Sequence, residues 1–247
     1  MIDRELYRLH AKLPVYRRHI DQAREIINGV LQHVEKPYIA FSCGKDSTVL
    51  AHMVLQFAPA TPLRFLSSGE TRLLHNVDDV LRFFGDRGVV IQEINIDRVF
   101  SEEWKNATWD EQRKVGRHDM ELLNDSSFDG IFMGLRAGES RVRKISLARN
   151  QTEGLPRFCH RYRAGKRKDM IRCCPLANWT VSDIGAYIVE HDIPYLDWYG
   201  HQGFEGRTTA RLTGDAVRQY TLTWLKKNKF DSWNRLLQRF PELSVHV

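Results

Sequence analysis

The sequence predicts an α/β protein: a parallel, doubly wound sheet with helices on both faces, extended at its C-terminal end by helices. Three observations carry this reading. Four apolar runs of strand length recur at Tyr38–Phe41, Leu63–Leu66, Val89–Ile94 and Gly130–Met133. Helix-period segments separate the first three, with short connections, and strands joined through helices lie parallel. The first run ends in the loop Ser42-Cys43-Gly44-Lys45-Asp46-Ser47, which opens directly into a helical segment. Ligand loops of such sheets sit at that place, beyond the carboxyl end of a strand.

The elements follow in order. Ile20, Ala23, Ile27, Val30 and Val34 recur at helical spacing, so a helix fills 15–34, and Lys36-Pro37 breaks it. Thr48–Val54 with Phe57 gives the helix after the loop. Leu73, Leu74, Val77, Val80, Leu81 and Phe84 give another, stopped near Gly85 or Gly88. Residues 101–116 are weakly periodic, and a helix near 117–125 precedes the fourth strand. Residues 148–172 are basic, contain Gly154, Pro156 and Gly165, and read as a long loop or lid. Thr180 with Asp183 marks a helix start, with Ile184, Tyr187 and Ile188 on one face. Two last helices fit 214–228 and 231–240, their aromatic residues serving a core or a homo-oligomer surface. The expected organisation is a helix at 1–36, a nucleotide-binding core at 37–146, and a lid plus helical part of the same domain at 147–247.

The loop at 42–47 is built for phosphate. The first amides of a helix have no internal acceptor, and the helix dipole favours an anion there. Ser42 and Ser47 add hydroxyls, Lys45 adds a point charge, and Gly44 lets backbone approach a ligand. A Walker A loop is excluded, since Ile39 stands five before Gly44 and Asp46 follows the lysine. After the second strand, Ser67 and Gly69 offer further donors; after the fourth, Arg136, Ser140 and Arg143 do so, with Glu139 as an acceptor beside them. Arg136 and Arg143 suit bidentate phosphate or sulfate, Glu139 suits an arginine or metal-bound water, and Ser140 suits a helix cap.

Composition bounds the partners. The 247 residues carry 42% hydrophobic side chains, and no apolar run approaches the roughly 18 needed for a membrane span. The charged start, Met1-Ile2-Asp3-Arg4-Glu5, lacks a secretory apolar region, and the four cysteines read as reduced thiols of a cytoplasmic protein. Charge is uneven. Residues 136–172 hold twelve of the 37 Lys+Arg but three of the 31 Asp+Glu, so the whole +6 excess comes from this stretch. Such a patch marks an anionic ligand.

With Cys43 in place of the first glycine, the loop resembles the S-G-G-K-D-S loop of the PP-loop adenine-nucleotide α-hydrolases. Gly134-Leu135-Arg136-Ala137-Gly138-Glu139-Ser140-Arg141-Val142-Arg143 resembles the G-[IV]-R-x-x-E-S-x-x-R segment of their phosphoadenosine-phosphosulfate (PAPS) reductase-like branch. Pro175–Ile184 resembles that branch's P-[IL]-x-x-W-[ST]-x-x-D-[IV], and Ile193-Pro194-Tyr195 its I-P-Y. The resemblance implies an adenine nucleotide: ATP with Mg²⁺, adenylyl sulfate or PAPS. The phosphate contacts it carries over are Ser42, Gly44, Lys45, Asp46, Ser47 and Arg136, with Glu139, Ser140, Arg143 and, beyond Gly203–Gly206, Arg207 as further contacts. Lys45, Asp46 and Arg136 are the catalytic candidates for α-phosphate chemistry with pyrophosphate leaving.

Departures matter as well. Reductases of the branch attack sulfur with a cysteine in an E-C-G-[IL]-H segment, and no cysteine follows Cys174 here. A reductase would have to use Cys159 or Cys173 instead. Cys173-Cys174 lacks the second C-x-x-C pair that iron–sulfur members hold, which argues against a cluster, and zinc spacing is missing. Arg157, Arg161, Arg163, Lys166, Arg167, Lys168 and Arg172, interleaved with Phe158 and Tyr162, define a second class, nucleic-acid binding through 157–172. A third class is a nucleotide sensor without catalysis.

Overall fold

The computed structural model of the chain describes residues 2–67, 72, 75–96, 122–123, 127–163, 165, 167–206, 215–239, 241 and 244. Two helices, α1 (Arg4–His10) and α2 (Pro14–Leu31), precede β1 (Pro37–Phe41), α3 (Lys45–Leu55), β2 (Leu63–Ser67), α4 (Val77–Gly85) and β3 (Ile91–Asn95). Then come β4 (Gly130–Phe132), a 3₁₀ turn at Ala137–Glu139, α5 (Arg141–Arg149), β5 (Cys159–Arg161) and β6 (Ile171–Cys173). Helices α6 (Val181–Glu190), α7 (Asp197–Gln202), α8 (Asp215–Asn228) and α9 (Phe230–Arg239) close the order.

The strands form one sheet in the order β3-β2-β1-β4-β6-β5. Every neighbouring pair is parallel except β5–β6, which is antiparallel. From β1 the chain steps outward through β2 to β3, then returns to the opposite side of β1 for β4. The order therefore reverses between β1 and β4, and the loops leaving these two strands diverge to open a crevice. This fixes the site at the ends of Phe41 and Phe132.

Alternation along the strands builds two cores, one on each sheet face. Ile39, Phe41, Phe132, Ile171 and Cys173 join the larger core with α2, α3 and α6. Tyr38 and Ile131 project the other way, into a smaller cluster with Leu123 and Met170. Helix α2 starts with Pro14 in its first turn and buries Tyr16, Ile20, Ala23, Ile27 and Val30 along one stripe. Helix α6 is set by the predicted capping box, with Thr180 and Asp183 serving each other's backbone. Its Gly185 admits α1, since a β-carbon there would lie 2.3 Å from the Tyr7 ring. Buried Asp183 also receives His10 at 2.8 Å and His19 at 3.0 Å, which pins α1 and α2 to α6.

Several elements differ from the sequence expectation. The basic stretch 148–172 is not simply a loop or lid, because it contains β5 and β6 and completes the sheet. Each strand is three residues long, and Cys-His-Arg and Ile-Arg-Cys carry too little apolar pattern to read as strands alone. Pairing of β6 with β4, and of β5 with β6, supplies what local propensity lacks. Helices α1 and α7 also went unread, and α5 was marked only by its Ser140 cap: α1 buries no residue and α5 only Leu147, so neither shows an apolar stripe. The helix expected near 117–125 lies largely outside the described residues. Among the described residues, no helix is long and apolar enough to cross a membrane.

Candidate functional site

Helix α3 begins at Lys45, with Gly44 in its N-cap position. Its first turn closes on Gly44, whose carbonyl accepts from the Thr48 amide at 2.9 Å and from the Thr48 and Ser47 hydroxyls at 3.0 and 2.9 Å. Ser42 and Ser47 hold the loop's two ends together, their hydroxyl oxygens 3.0 Å apart. The amides of Asp46 and Ser47 have no acceptor among the described protein groups, as expected of the first turn of a helix. Cys43 turns the loop with φ of 55°, in the region that favours glycine, and its side chain is fully buried. Burial pushes its thiol up, so Cys43 is a neutral packing residue rather than a nucleophile.

Charge is concentrated and arranged at this turn. Lys45 is only 5% exposed. Its Nζ lies 3.2 Å from Asp46 Oδ2, 3.4 Å from the Gly206 carbonyl and 5.1 Å above the Tyr199 ring. The Lys45 amide points at the Tyr199 hydroxyl, at 3.4 Å. Arg136, 4% exposed, pairs through Nε with the other oxygen of Asp46 and donates to the Trp179 carbonyl at 3.5 Å. Asp46 thus sits between an ammonium and a guanidinium. Glu139 accepts from the Arg136 amide at 2.9 Å and pairs with Arg143.

A cavity of about 440 Å³ opens in front of this turn. Ser42, Gly44, Lys45, Asp46 and Ser47 form its floor on one side, and Glu139 and Arg143 border it on the other. Leu66, Met133 and Tyr199 supply apolar wall. A polar floor with apolar walls suits a phosphorylated ring compound.

The sequence-predicted residues divide. Ser42, Gly44, Lys45, Asp46, Ser47, Glu139 and Arg143 meet at the cavity. Arg136 is adjacent but turned inward, so it reaches the cavity through Asp46 rather than by direct contact. Cys43 is buried beneath the loop. Ser140 caps α5, accepting from the Arg143 amide at 3.2 Å. Ser67 is buried at the end of β2, where Leu66 rather than Ser67 faces the cavity. Gly69 and Arg207 lie outside the described residues. Tyr199 and Gly134 were missed. Tyr199 is far in sequence and sits in a short helix without a motif, while Gly134 opens the segment that resembles G-[IV]-R-x-x-E-S-x-x-R but was not given a place in the site.

The other cysteines form a separate group. Cys159 and Cys173 are cross-strand partners in the β5–β6 hairpin, their sulfurs 3.3 Å apart, with Cys174 next in sequence. All three are sealed in the core, and burial raises the Cys174 thiol to about 12. Carboxylate oxygens at the cavity, from Asp46 and Glu139, are hard donors that suit Mg²⁺. Each is already paired with a cation, so such an ion would be carried chiefly by phosphate oxygens.

Known proteins resemble this chain over the stretch that carries the cavity. A family model described as the phosphoadenosine phosphosulfate reductase domain matches residues 36–206. Sulfate adenylyltransferase subunit 2 of Mycobacterium sp. (strain JLS) is 29% identical over 191 residues, 68% of this chain and 59% of that protein. The same subunit of Rhizobium meliloti (strain 1021) is 29% identical over 210 residues, 76% of this chain and 68% of that one. The chain spans about three-fifths of the length of the Mycobacterium relative. Among solved structures, a phosphoadenylyl-sulfate (PAPS) reductase from Candida auris, in a phosphate complex, aligns at 16% identity with a TM-score of 0.48, over 72% of this chain and 84% of that one. The matched stretch runs from the approach to β1 to Gly206, whose carbonyl faces Lys45, and takes in every residue placed at the cavity: the chain belongs to the phosphoadenosine phosphosulfate reductase domain family.

Proposed function

We propose that the chain is a nucleotide-binding enzyme that takes ATP, with Mg²⁺, into the cavity at the β1–β4 crevice and transfers its adenylyl group, releasing pyrophosphate. The observation that carries this reading is the convergence of the open α3 amides, Lys45 and the Asp46–Arg136 pair on one cavity. In the reaction an acceptor oxygen bonds to the α-phosphorus and the bond from that phosphorus to the bridging oxygen breaks, its electron pair leaving with pyrophosphate. The open amides of Asp46 and Ser47, with the Lys45 ammonium, face the leaving charge, and preorganised donors of that kind lower a barrier without reorganising. Arg136 fixes Asp46, and through it the lysine. Bound with ATP, Mg²⁺ supplies charge neutralisation across the phosphate oxygens. The name of the sulfate adenylyltransferase relatives makes sulfate the first acceptor to try. The four buried thiols suit the reducing cytoplasm.

Adenylyl sulfate and PAPS fit the same donor set, and the family's description keeps a sulfonucleotide reductase as the second reading. Against it stands the burial of every cysteine, with the Cys43, Cys173 and Cys174 thiols all pushed above their ordinary range. A thiol held neutral and out of solvent is a poor nucleophile. The test is pyrophosphate release from Mg-ATP with and without sulfate, beside the binding of ATP, AMP, adenylyl sulfate and PAPS. Tight ATP binding with acceptor-dependent pyrophosphate release supports transfer. PAPS binding with thiol-dependent sulfite release overturns it in favour of reduction, and nucleotide binding with neither product leaves a sensor.

A further inference from the structure

The sheet face that carries the cavity continues past it into a basic, aromatic surface that the adenylyl-transfer reading leaves unused. In the β5–β6 hairpin His160 is the register partner of Arg172, so both project from one face, opposite Cys159 and Cys173 in the larger core. Tyr162 packs on that same face, against the small cluster of Tyr38, Leu123, Ile131 and Met170. Ala40, Leu66 and Met133 pack against the same cluster and also line the cavity. One face therefore runs from the cavity, across Met133, to Tyr162.

Tyr162 is surrounded by cationic and aromatic groups. Arg167 donates to its hydroxyl at 3.1 Å, Arg172 lies 5.9 Å from its ring centroid, and the His160 ring is 5.5 Å away, edge to face. The Arg172 Nε is buried without an acceptor among the described residues. Exposed Arg163 stands near them, and burial first, then the charges of Arg172 and Arg163, lower the His160 pKa. Arg161, the register partner of core-facing Ile171, projects from the other face and donates to the Asp169 carbonyl at 3.0 Å. Thr152 ties α5 to this edge, donating to the Cys159 carbonyl at 3.3 Å and accepting from the Arg161 amide at 2.9 Å. Helix α5 is itself exposed and basic, with Arg143 at the cavity and Lys144 and Arg149 further along.

We propose that this surface is a binding site for single-stranded nucleic acid, its arginines on the phosphates and a base stacked at Tyr162 and His160. Charges on an edge strand also deter strand addition, which would account for Arg161 and Arg163. It does not account for Arg167 and Arg172, which turn onto the face beside Tyr162. Arginine rather than lysine dominates, and a planar guanidinium matches phosphate and stacks on bases. A half-buried tyrosine among cations offers its ring to an unpaired base, whereas a duplex presents no free base face. An acidic polypeptide would use the charges and leave the ring pair without a partner.

The test is fluorescence anisotropy of a labelled oligo-dT with the full chain, without ATP, so that the outcome is independent of any adenylyl transfer. Binding is expected to weaken with salt, with a log–log slope of about −3 for roughly four phosphate contacts. Tyr162→Ala is expected to cost about tenfold in affinity. The variant Arg163→Glu, at an exposed position next to His160, is expected to cost at least as much. ATP affinity stays unchanged in both. No binding at about 50 mM salt overturns the proposal. So does equal binding of a duplex, equal competition by polyglutamate, which would make the surface one for acidic protein, or full affinity in the Arg163→Glu variant.

Discussion

Gly134 and Asp46 are in van der Waals contact, backbone to backbone: a β-carbon on Gly134 would lie 3.0 Å from the carbonyl carbon and oxygen of Asp46 and 3.1 Å from the Ser47 amide nitrogen. The loop leaving β4 is thereby pressed against the first turn of α3, which brings Glu139 and Arg143 to the phosphate loop. The contact is with backbone on both sides, so no rotamer change relieves it. Gly134→Ala should push the two loops apart, cost about 1–3 kcal/mol of stability by overpacking, and weaken ATP binding. Calorimetric titration beside a thermal melt reads both; unchanged ATP affinity would show that the close approach does not shape the site.

Lys45 and Arg136 share Asp46 but should fail differently. Lys45 borders the cavity proposed to take the nucleotide, so Lys45→Ala is expected to lower pyrophosphate release about a hundredfold, with a small change in melting temperature because Asp46 keeps Arg136. Arg136 is buried and points inward, and removing it leaves a carboxylate short of its partner and the Trp179 carbonyl short of a donor. Arg136→Ala should therefore cost about 3 kcal/mol of stability as well as activity. Equal melting temperatures for the two variants would refute this division of roles.

Tyr199 occupies the Lys45 amide with its hydroxyl and underlies the Lys45 ammonium with its ring. A phosphate oxygen arriving at that amide must displace the hydroxyl. Tyr199→Phe keeps the ring and removes the competitor, so ATP should bind a few-fold more tightly, on the scale of one net hydrogen bond of about 1 kcal/mol. Tyr199→Ala removes the ring too and should weaken binding. Affinities measured side by side decide it, and weaker binding by the Phe variant would mean that the hydroxyl assists the ligand.

His52 gives the fold a pH dependence. Burial first, then the charges of His191 and Arg87, lower its pKa from 6.5 to about 4, and its Nδ1 lies 3.0 Å from the Tyr187 hydroxyl. Gln56 joins the same group, 3.2 Å from that hydroxyl. The unfolded chain takes up the His52 proton near pH 6.5 and the folded chain only near pH 4, so stability falls as pH drops through that interval. Denaturant melts between those values should show the decline, and His52→Gln should flatten it. An equal slope in the variant would assign the dependence to other groups.

The order of elements from β1 to β4 was legible because each carries its own local signal. Tyr38–Phe41, Leu63–Leu66 and Ile91–Ile94 are apolar strand segments, and α2 buries a stripe at helical spacing. The Thr180–Asp183 box was legible for the same reason, since a cap is a contact within one turn. Strands β5 and β6 were not, because three residues each hold no period and their stability comes from pairing, β6 with β4 and β5 with β6.

What the amino-acid order alone determined is the loop Ser42–Ser47 as a tight turn from a strand's end into a helix, with the donor set of the proposed phosphate site. Its chemistry is local: open amides, two hydroxyls, a lysine and a glycine within six residues. What only the tertiary structure decided is how that turn is completed. Tyr199 and Gly206 come from more than 150 residues downstream, Arg136 turns inward to hold Asp46 instead of facing the ligand, and Gly134 sets the spacing. These are contacts across the β1–β4 reversal, fixed by the packing of separate elements, and no spacing along the chain encodes a distance that only folding closes.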